Sequence, residues 1–313
     1  MGKAERIRRM NARERIAAQQ AAARRAEARR RMFLASGSVL VVLAVVVILI
    51  VVRSATSPAG TSSTRGAAAT AAETASVIKL ATTVPASTLN SVGKGAAAAP
   101  IPTRGHQPAL TSDGKPEVLF MGEEPCPYCG AERWALIVAL SRFGTFSNLH
   151  LIRSSSEDVY SNTSTFSFYK STYTSKYVDF NPVEMYSEKV VGDSYAPLQT
   201  PTATDLAMMG KYDVAPYTTE NGAYPFVDIG NQYLITSAQY LPSLLGSTPA
   251  VDPSHFGLTW AQIAADIQDP TNTVAQGIDG AANALTAAIC KLTKNAPAAV
   301  CDSAAAQAAE GSL

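Results

Sequence analysis

Residues 116–140 read PEVLFMGEEPCPYCGAERWALIVAL, and the order within them is strand, tight turn, helix. Val118, Leu119, Phe120 and Met121 form an unbroken apolar run, the pattern of a strand covered on both faces. Gly122 ends it. Beyond the turn, Ala131, Trp134, Ala135, Ile137, Val138 and Leu140 leave almost no polar face, so the spacing predicts a largely buried helix. Cys126 and Cys129 stand where turn becomes helix. A helix N-terminus offers partial positive charge and free N–H groups to a thiolate, the reactive form of cysteine, and Cys126 gains most from that position. Pro127 suits the first helical turn. The two-residue gap lets Cys126 and Cys129 close into one disulfide, which can exchange with another dithiol through a mixed disulfide.

Outward from this stretch, the formal net charge of +1 over 313 residues hides an asymmetry. Residues 1–31 carry 11 Lys or Arg against 3 Asp or Glu, whereas residues 54–313 carry 14 against 22. Between them, residues 33–52 (FLASGSVLVVLAVVVILIVV) hold no charge. At about 1.5 Å per residue they span roughly 30 Å, the thickness of a bilayer's hydrocarbon core. The expectation is a single transmembrane helix. A cleaved signal peptide fits less well, since both the apolar core and the basic region are longer than such peptides use. The basic residues before the span place residues 1–32 in the cytoplasm by the positive-inside rule, and everything after residue 53 outside the cell membrane. An acidic folded part argues against nucleic-acid binding.

Along the chain, residues 54–76 are almost wholly Ala, Ser, Thr, Gly and Pro and read as a tether. Within a flexible linker over 53–107, residues 77–93 have enough apolar side chains to dock on the folded domain, which the reading places at 108–313. Residues 148–153 read as a second strand. The Ser-, Thr-, Tyr- and Phe-rich stretch 154–194 reads as a β-rich insertion, with 177–180 as another strand-like run inside it. A helix follows at 202–211. Residues 226–229 and 233–236, joined through Gly230, Asn231 and Gln232, form a hairpin signal, followed by a helix around 239–245. Pro225 immediately precedes the hairpin, where a cis Tyr224–Pro225 bond would turn the chain into the sheet. Two further helices close the chain.

Strand, C-P-Y-C at a helix start, second strand, helix, proline, hairpin and final helix is the order of the thioredoxin fold, and the chain resembles a membrane-anchored thioredoxin-like protein. The segments VPASTLNSVG, CPYCGAERWALIVALSRFGTFSNL, TSTFSFY, YPFVDIGN and ICKLTKNAPAAVC resemble a family of bacterial and archaeal membrane-associated proteins of unknown function with this fold. The expected class is therefore α/β: a thioredoxin-like fold with a β-rich insertion and extra C-terminal helices, preceded by one transmembrane helix. The resemblance implies that Cys126 is the attacking cysteine and Cys129 the resolving one. It also implies that Pro225 is the cis-proline opposite them and that the backbone of Tyr224 pairs with substrate. Pro127 and Tyr128 are similar to the glutaredoxin dipeptide, without an evident glutathione site. Thioredoxins also use a buried acid beneath the second cysteine; Glu124 and Glu132 are the candidates for that proton transfer.

Bland readings compete at each position. Cys126 and Cys129 could form a structural staple or half a zinc site, although no second C-x-x-C exists and His106, His150 and His255 are scattered. Cys290 and Cys301 read as a structural disulfide in an oxidising compartment, against a second redox pair as the alternative. Asp228, inside an apolar strand, reads as a hydrogen-bonded structural residue. The expected function is a membrane-tethered extracytoplasmic thiol-disulfide oxidoreductase that needs no metal or organic cofactor. Its expected partners are exported protein thiols or disulfides, or a membrane redox partner. The rival is a non-catalytic binding or assembly module of the cell envelope, in which the sulfur of Cys126 would be covered.

Overall fold

The computed structural model describes residues 68–219 and 222–313. The expected membrane span at 33–52, the basic segment before it and the tether up to residue 67 lie outside the described residues. Among the described residues no helix is long and apolar enough to cross a membrane. In chain order come α1 (Ala71–Thr82), α2 (Ala86–Val92), β1 (Ile101–Pro102), β2 (Thr111–Ser112), β3 (Lys115–Gly122), α3 (Pro127–Leu140), β4 (Gly144–Ser147), β5 (His150–Arg153), β6 (Ser164–Ser167), β7 (Thr172–Ser175) and β8 (Asp179–Glu184). There follow β9 (Tyr186–Val191), β10 (Ser194–Pro197), α4 (Ala203–Tyr212), β11 (Phe226–Ile229), β12 (Tyr233–Ile235), a 3₁₀ turn (Pro242–Leu245), α5 (Trp260–Asp266), α6 (Thr273–Leu292), α7 (Ala298–Cys301) and α8 (Ala304–Glu310).

The apolar run of β3 is explained by its place in the middle of the main sheet. It pairs in parallel with β8, Val118 opposite Phe180, and antiparallel with β11, Met121 opposite Phe226. β12 continues the sheet beyond β11, β1 closes that edge, and β2 pairs with the start of β3. Because side chains alternate along a strand, Val118 and Phe120 enter one apolar cluster with α3 and α6, while Leu119 and Met121 enter a second with Met209 and Tyr212 of α4. Both faces are covered, so neither half of the run can be polar.

On the first face, α3 is buried along its whole length except at Tyr128, and it packs on α6 and β6. The indole N–H groups of Trp134 and Trp260 donate to the Ser164 and Thr165 carbonyls respectively, fixing β6 against the helices. The C-terminal end of α6 is tied to α7 by a disulfide between Cys290 and Cys301, 11 residues apart. Loop-closure entropy gives such a link about 3 kcal/mol of stabilisation. These are the two cysteines that the sequence reading joins.

Several expected boundaries shift. Residues 148–153 do contribute a strand, but β5 pairs only with β6 in a separate ribbon. The second strand of the main sheet is β8, part of the stretch expected to be insertion; Asn181 and Pro182 interrupt its apolar pattern and hide it. Residues 94–107 are not a free linker: the Ala96 and Ala98 N–H groups donate to the Gln276 and Gln239 carbonyls, and β1 joins the sheet. The tether ends earlier than expected, because Thr70 caps α1 by accepting from the Glu73 N–H. The helix expected at 239–245 is the short 3₁₀ turn, whose first residue Pro242 cannot donate a backbone hydrogen bond.

Some buried acids lack full compensation. Asp279 of α6 is fully buried, neither of its carboxylate oxygens has a hydrogen-bond partner, and burial raises its pKa to about 8. Burial likewise raises Glu132 to about 8 and Asp228 to about 7. The folded chain therefore holds protons that the unfolded chain releases near pH 4, so stability falls as pH rises from there towards 8. Asp279→Asn removes one such group. Its unfolding free energy relative to the parent's should climb steadily between pH 5 and pH 8, with a slope on the order of 1 kcal/mol per pH unit. A difference that does not change with pH would contradict the assignment.

Candidate functional site

The turn between β3 and α3 brings both cysteines to the C-terminal edge of the central strand. Cys126 is the N-cap of α3, with Pro127 at the first helical position. Its Sγ accepts the Cys129 N–H at 3.1 Å, doing what a Ser or Asp side chain does at other helix starts. Cys126 is half-buried and Cys129 fully buried, and both are free thiols. Burial pushes the Cys129 thiol well above its ordinary value, the adjacent Cys126 sulfur adds to this, and Arg133 and the Glu123 backbone N–H work in the opposite direction. The strand must end in glycine here. A Cβ on Gly122 would lie 2.6 Å from the Phe120 ring and 3.2 Å from Cys129 Sγ.

Across from the helix start, the Tyr224–Pro225 bond is cis, and the Tyr224 carbonyl lies 3.7 Å from Cys126 Sγ, which donates to it. Pro225 is buried at the head of β11 and Tyr224 is half-buried, its hydroxyl directed at Met185 Sδ. Tyr128 packs edge-on against Tyr160, with ring centroids 5.6 Å apart. The structure thus brings Cys126, Cys129, Pro127, Tyr128, Tyr224 and Pro225 together. The disulfide of Cys290 and Cys301 closes the C-terminal helices instead.

The two candidate proton carriers are placed elsewhere. Glu124 accepts from Ser167 Oγ at 2.5 Å and from the Glu188 N–H at 3.3 Å; burial, then the Glu188 contact, raises it to about 7. Glu132 accepts from the Gln239 N–H at 3.1 Å, on the part of α3 that meets Gln239 and Tyr240. Neither carboxyl hydrogen-bonds a cysteine. His106 is exposed, while His150 and His255 contact the Asn148 and Gly246 carbonyls. Among the described residues no cluster of His, Cys, Asp or Glu could hold a metal ion.

What sequence reasoning missed is Arg133, one helical turn beyond Cys129. It is fully buried and forms a two-pronged ion pair with Glu184 of β8, Nε to Oε1 at 2.8 Å and Nη2 to Oε2 at 2.6 Å. Nη2 also donates to the Glu123 carbonyl at 2.7 Å, so the guanidinium clamps the turn that carries Cys126. Burial opposes its charge, and the Glu184 carboxylate, with Cys129 and Cys126 adding to it, outweighs burial. The signal was present in the sequence: an arginine in a helix with almost no polar face needs a buried partner.

Removing one member of this pair leaves the other charged and buried. Arg133→Met and Glu184→Leu should each cost about 3–5 kcal/mol in denaturant unfolding, and the double variant should recover a substantial part of that loss. Additive losses in the double variant would show that the two side chains do not act as a pair.

No curated protein and no solved structure matches the chain. The family described as a domain of unknown function (DUF929) matches residues 106–291. That is more than half of the 313 residues and includes the main sheet's central strands, both cysteines of the turn and the Tyr224–Pro225 pair, so the chain belongs to this family.

Proposed function

We propose that the folded domain is a thioredoxin-like thiol-disulfide oxidoreductase, held outside the cell membrane by the apolar span at 33–52. Support for the fold comes from the strand order β12-β11-β3-β8, with only β3 and β8 parallel, α3 after β3, α4 after β8 and a cis-proline entering β11. The observation that carries the activity is the half-exposed Cys126 at a helix N-cap, its sulfur held between the Cys129 N–H and the Tyr224 carbonyl. A structural staple would call for a covered sulfur.

Cys126, as thiolate, attacks one sulfur of a partner disulfide. That S–S bond breaks, a mixed disulfide forms, and the departing partner sulfur takes a proton from solvent. Cys129 loses its proton and attacks Cys126 Sγ, releasing the second partner sulfur as a thiol. The partner gains two electrons and the chain is left with a Cys126–Cys129 disulfide. Every step runs backwards when a partner dithiol meets the oxidised chain. The buried Cys129 keeps its proton until the mixed disulfide forms, because burial opposes its ionisation. The Tyr224 backbone holds the partner as an added strand. The expected partners are exported proteins with thiols or disulfides, or a redox protein of the same membrane.

Cys129→Ala cannot complete the second step. Incubated with a peptide containing one disulfide, this variant should accumulate a covalent adduct on Cys126 that dithiothreitol removes, while Cys126→Ala forms none. A folded Cys129→Ala protein that gives no adduct would refute the proposal.

A further inference from the structure

The ribbon of β9 and β10 is bolted to the cysteine turn at its root. The Met185 N–H donates to the Gly122 carbonyl and the Glu124 N–H to the Tyr186 carbonyl, both at 2.9 Å. Tyr224, whose carbonyl meets Cys126 Sγ, directs its hydroxyl at Met185 Sδ. Beyond this root the ribbon is open to solvent. Residues 189–194 are all exposed, Val190 by 60% and Val191 by 67%.

The two faces of the ribbon are not equivalent. Val190 lies directly opposite Tyr195, so their side chains share a face. Tyr195 Oη donates to Ser155 Oγ at 2.6 Å, and the Ser155 N–H donates to the carbonyl of Pro125, the residue before Cys126, at 2.8 Å. The Val190 face is thus turned towards the loop between β5 and β6 where that loop meets the cysteine turn, and Val191 takes the opposite face. The same loop exposes Val159 and packs Tyr160 against Tyr128. Among the described residues eight large apolar side chains are exposed, and four of them, Val159, Tyr186, Val190 and Val191, belong to this ribbon and loop. Such a concentration beside a reactive group marks a surface that binds something apolar.

A bilayer would meet the ribbon at its tip and cover both faces alike. A face turned back towards the cysteine turn admits something narrower, and the mixed disulfide on Cys126 brings a polypeptide to that place. We infer that the ribbon is an arm that holds an apolar side chain of the partner polypeptide on its Val190 face while the partner's cysteine engages Cys126. Four residues of β9 separate Val190 from Tyr186, at most about 13 Å of strand, so the held side chain lies roughly four residues from the partner's cysteine. This rests on the oxidoreductase reading and names its substrate class: chains with an apolar residue accessible at that spacing, as unfolded polypeptides offer and folded ones mostly bury.

The test uses the full chain in mild detergent with Cys126 and Cys129 reduced. The probes are two short Gly- and Ser-based peptides with one central cysteine, joined as a mixed disulfide to thionitrobenzoate. One carries Leu at the fourth position on either side of the cysteine, and the other carries Ser there. The chain's dithiol is oxidised to the Cys126–Cys129 disulfide, and the peptide thiol and coloured thionitrobenzoate are released. Each second-order rate is divided by that of dithiothreitol with the same peptide in the same detergent, which removes the peptide's own reactivity. The Leu peptide should react roughly tenfold faster than the Ser peptide, the gain expected from burying part of one leucine side chain. In Val190→Ser the ratio should fall towards one, whereas in Val191→Ser, on the other face, it should persist. A preference lost equally in both variants would assign the tip to a bilayer or a second copy and overturn the inference. Equal normalised rates for the two peptides with the parent chain would also overturn it while leaving the oxidoreductase reading intact. Release no faster than with Cys126→Ala, whichever the peptide, would overturn that reading and the inference with it.

Discussion

The buried ion pair between Arg133 and Glu184 is the constraint around which the site is assembled. It joins α3 to β8 across the main sheet's surface, and the same guanidinium holds the Glu123 carbonyl at the turn. Glu184 is itself satisfied from other directions: its Oε1 accepts the Phe168 N–H at 3.2 Å, and its backbone N–H donates to Gln199 Oε1 at 2.9 Å. One charged pair thus fixes the helix, the strand, the cysteine turn and the end of β6 relative to one another. Apolar side chains of similar volume could bring these elements together with equal or greater stability. They could not hold a backbone carbonyl in a set direction three residues before Cys126.

The second constraint is the alternation along β3. With Val118 and Phe120 on one side and Leu119 and Met121 on the other, the strand is locked between two apolar clusters and ends at one place. Gly122 then lets the chain pass close to Cys129 Sγ. The sulfur of Cys129 is buried by this arrangement, whereas Cys126, capping the helix, keeps access to solvent. Two chemically identical thiols acquire different surroundings from three residues of helix.

Much of this was legible in the sequence because it rests on local signals. The unbroken run at 118–121, the proline after Cys126, the Gly230–Gln232 turn and the proline before 226 each carry a backbone requirement that a single segment reveals. Asp228 fits its structural reading, since its Oδ1 accepts the Asn231 N–H within the hairpin turn. The misread parts depend on distant partners. Residues 179–184 look like a poor strand until β3 supplies a parallel neighbour, and residues 94–102 look like linker until the Gln276 carbonyl and β12 supply theirs. Glu124 and Glu132 are the candidates for a buried acid beneath Cys129, and neither hydrogen-bonds a cysteine. Helical geometry turns Glu132 towards Gln239, and the hairpin of β9 and β10 takes up Glu124. Arg133 and Glu184 lie 51 residues apart, and no local pattern pairs them.

The central claim is that Cys126 and Cys129 exchange electrons reversibly while Cys290 and Cys301 stay joined. The most direct measurement equilibrates the folded chain in dithiothreitol buffers of graded oxidation, traps free thiols by alkylation and counts labels on each cysteine by peptide mass. The account predicts that Cys126 and Cys129 gain and lose their labels together, along one two-electron curve that is the same from either direction, with Cys290 and Cys301 unlabelled throughout. A Cys126–Cys129 pair that never forms a disulfide, or one that cannot be reduced without unfolding the chain, would contradict it.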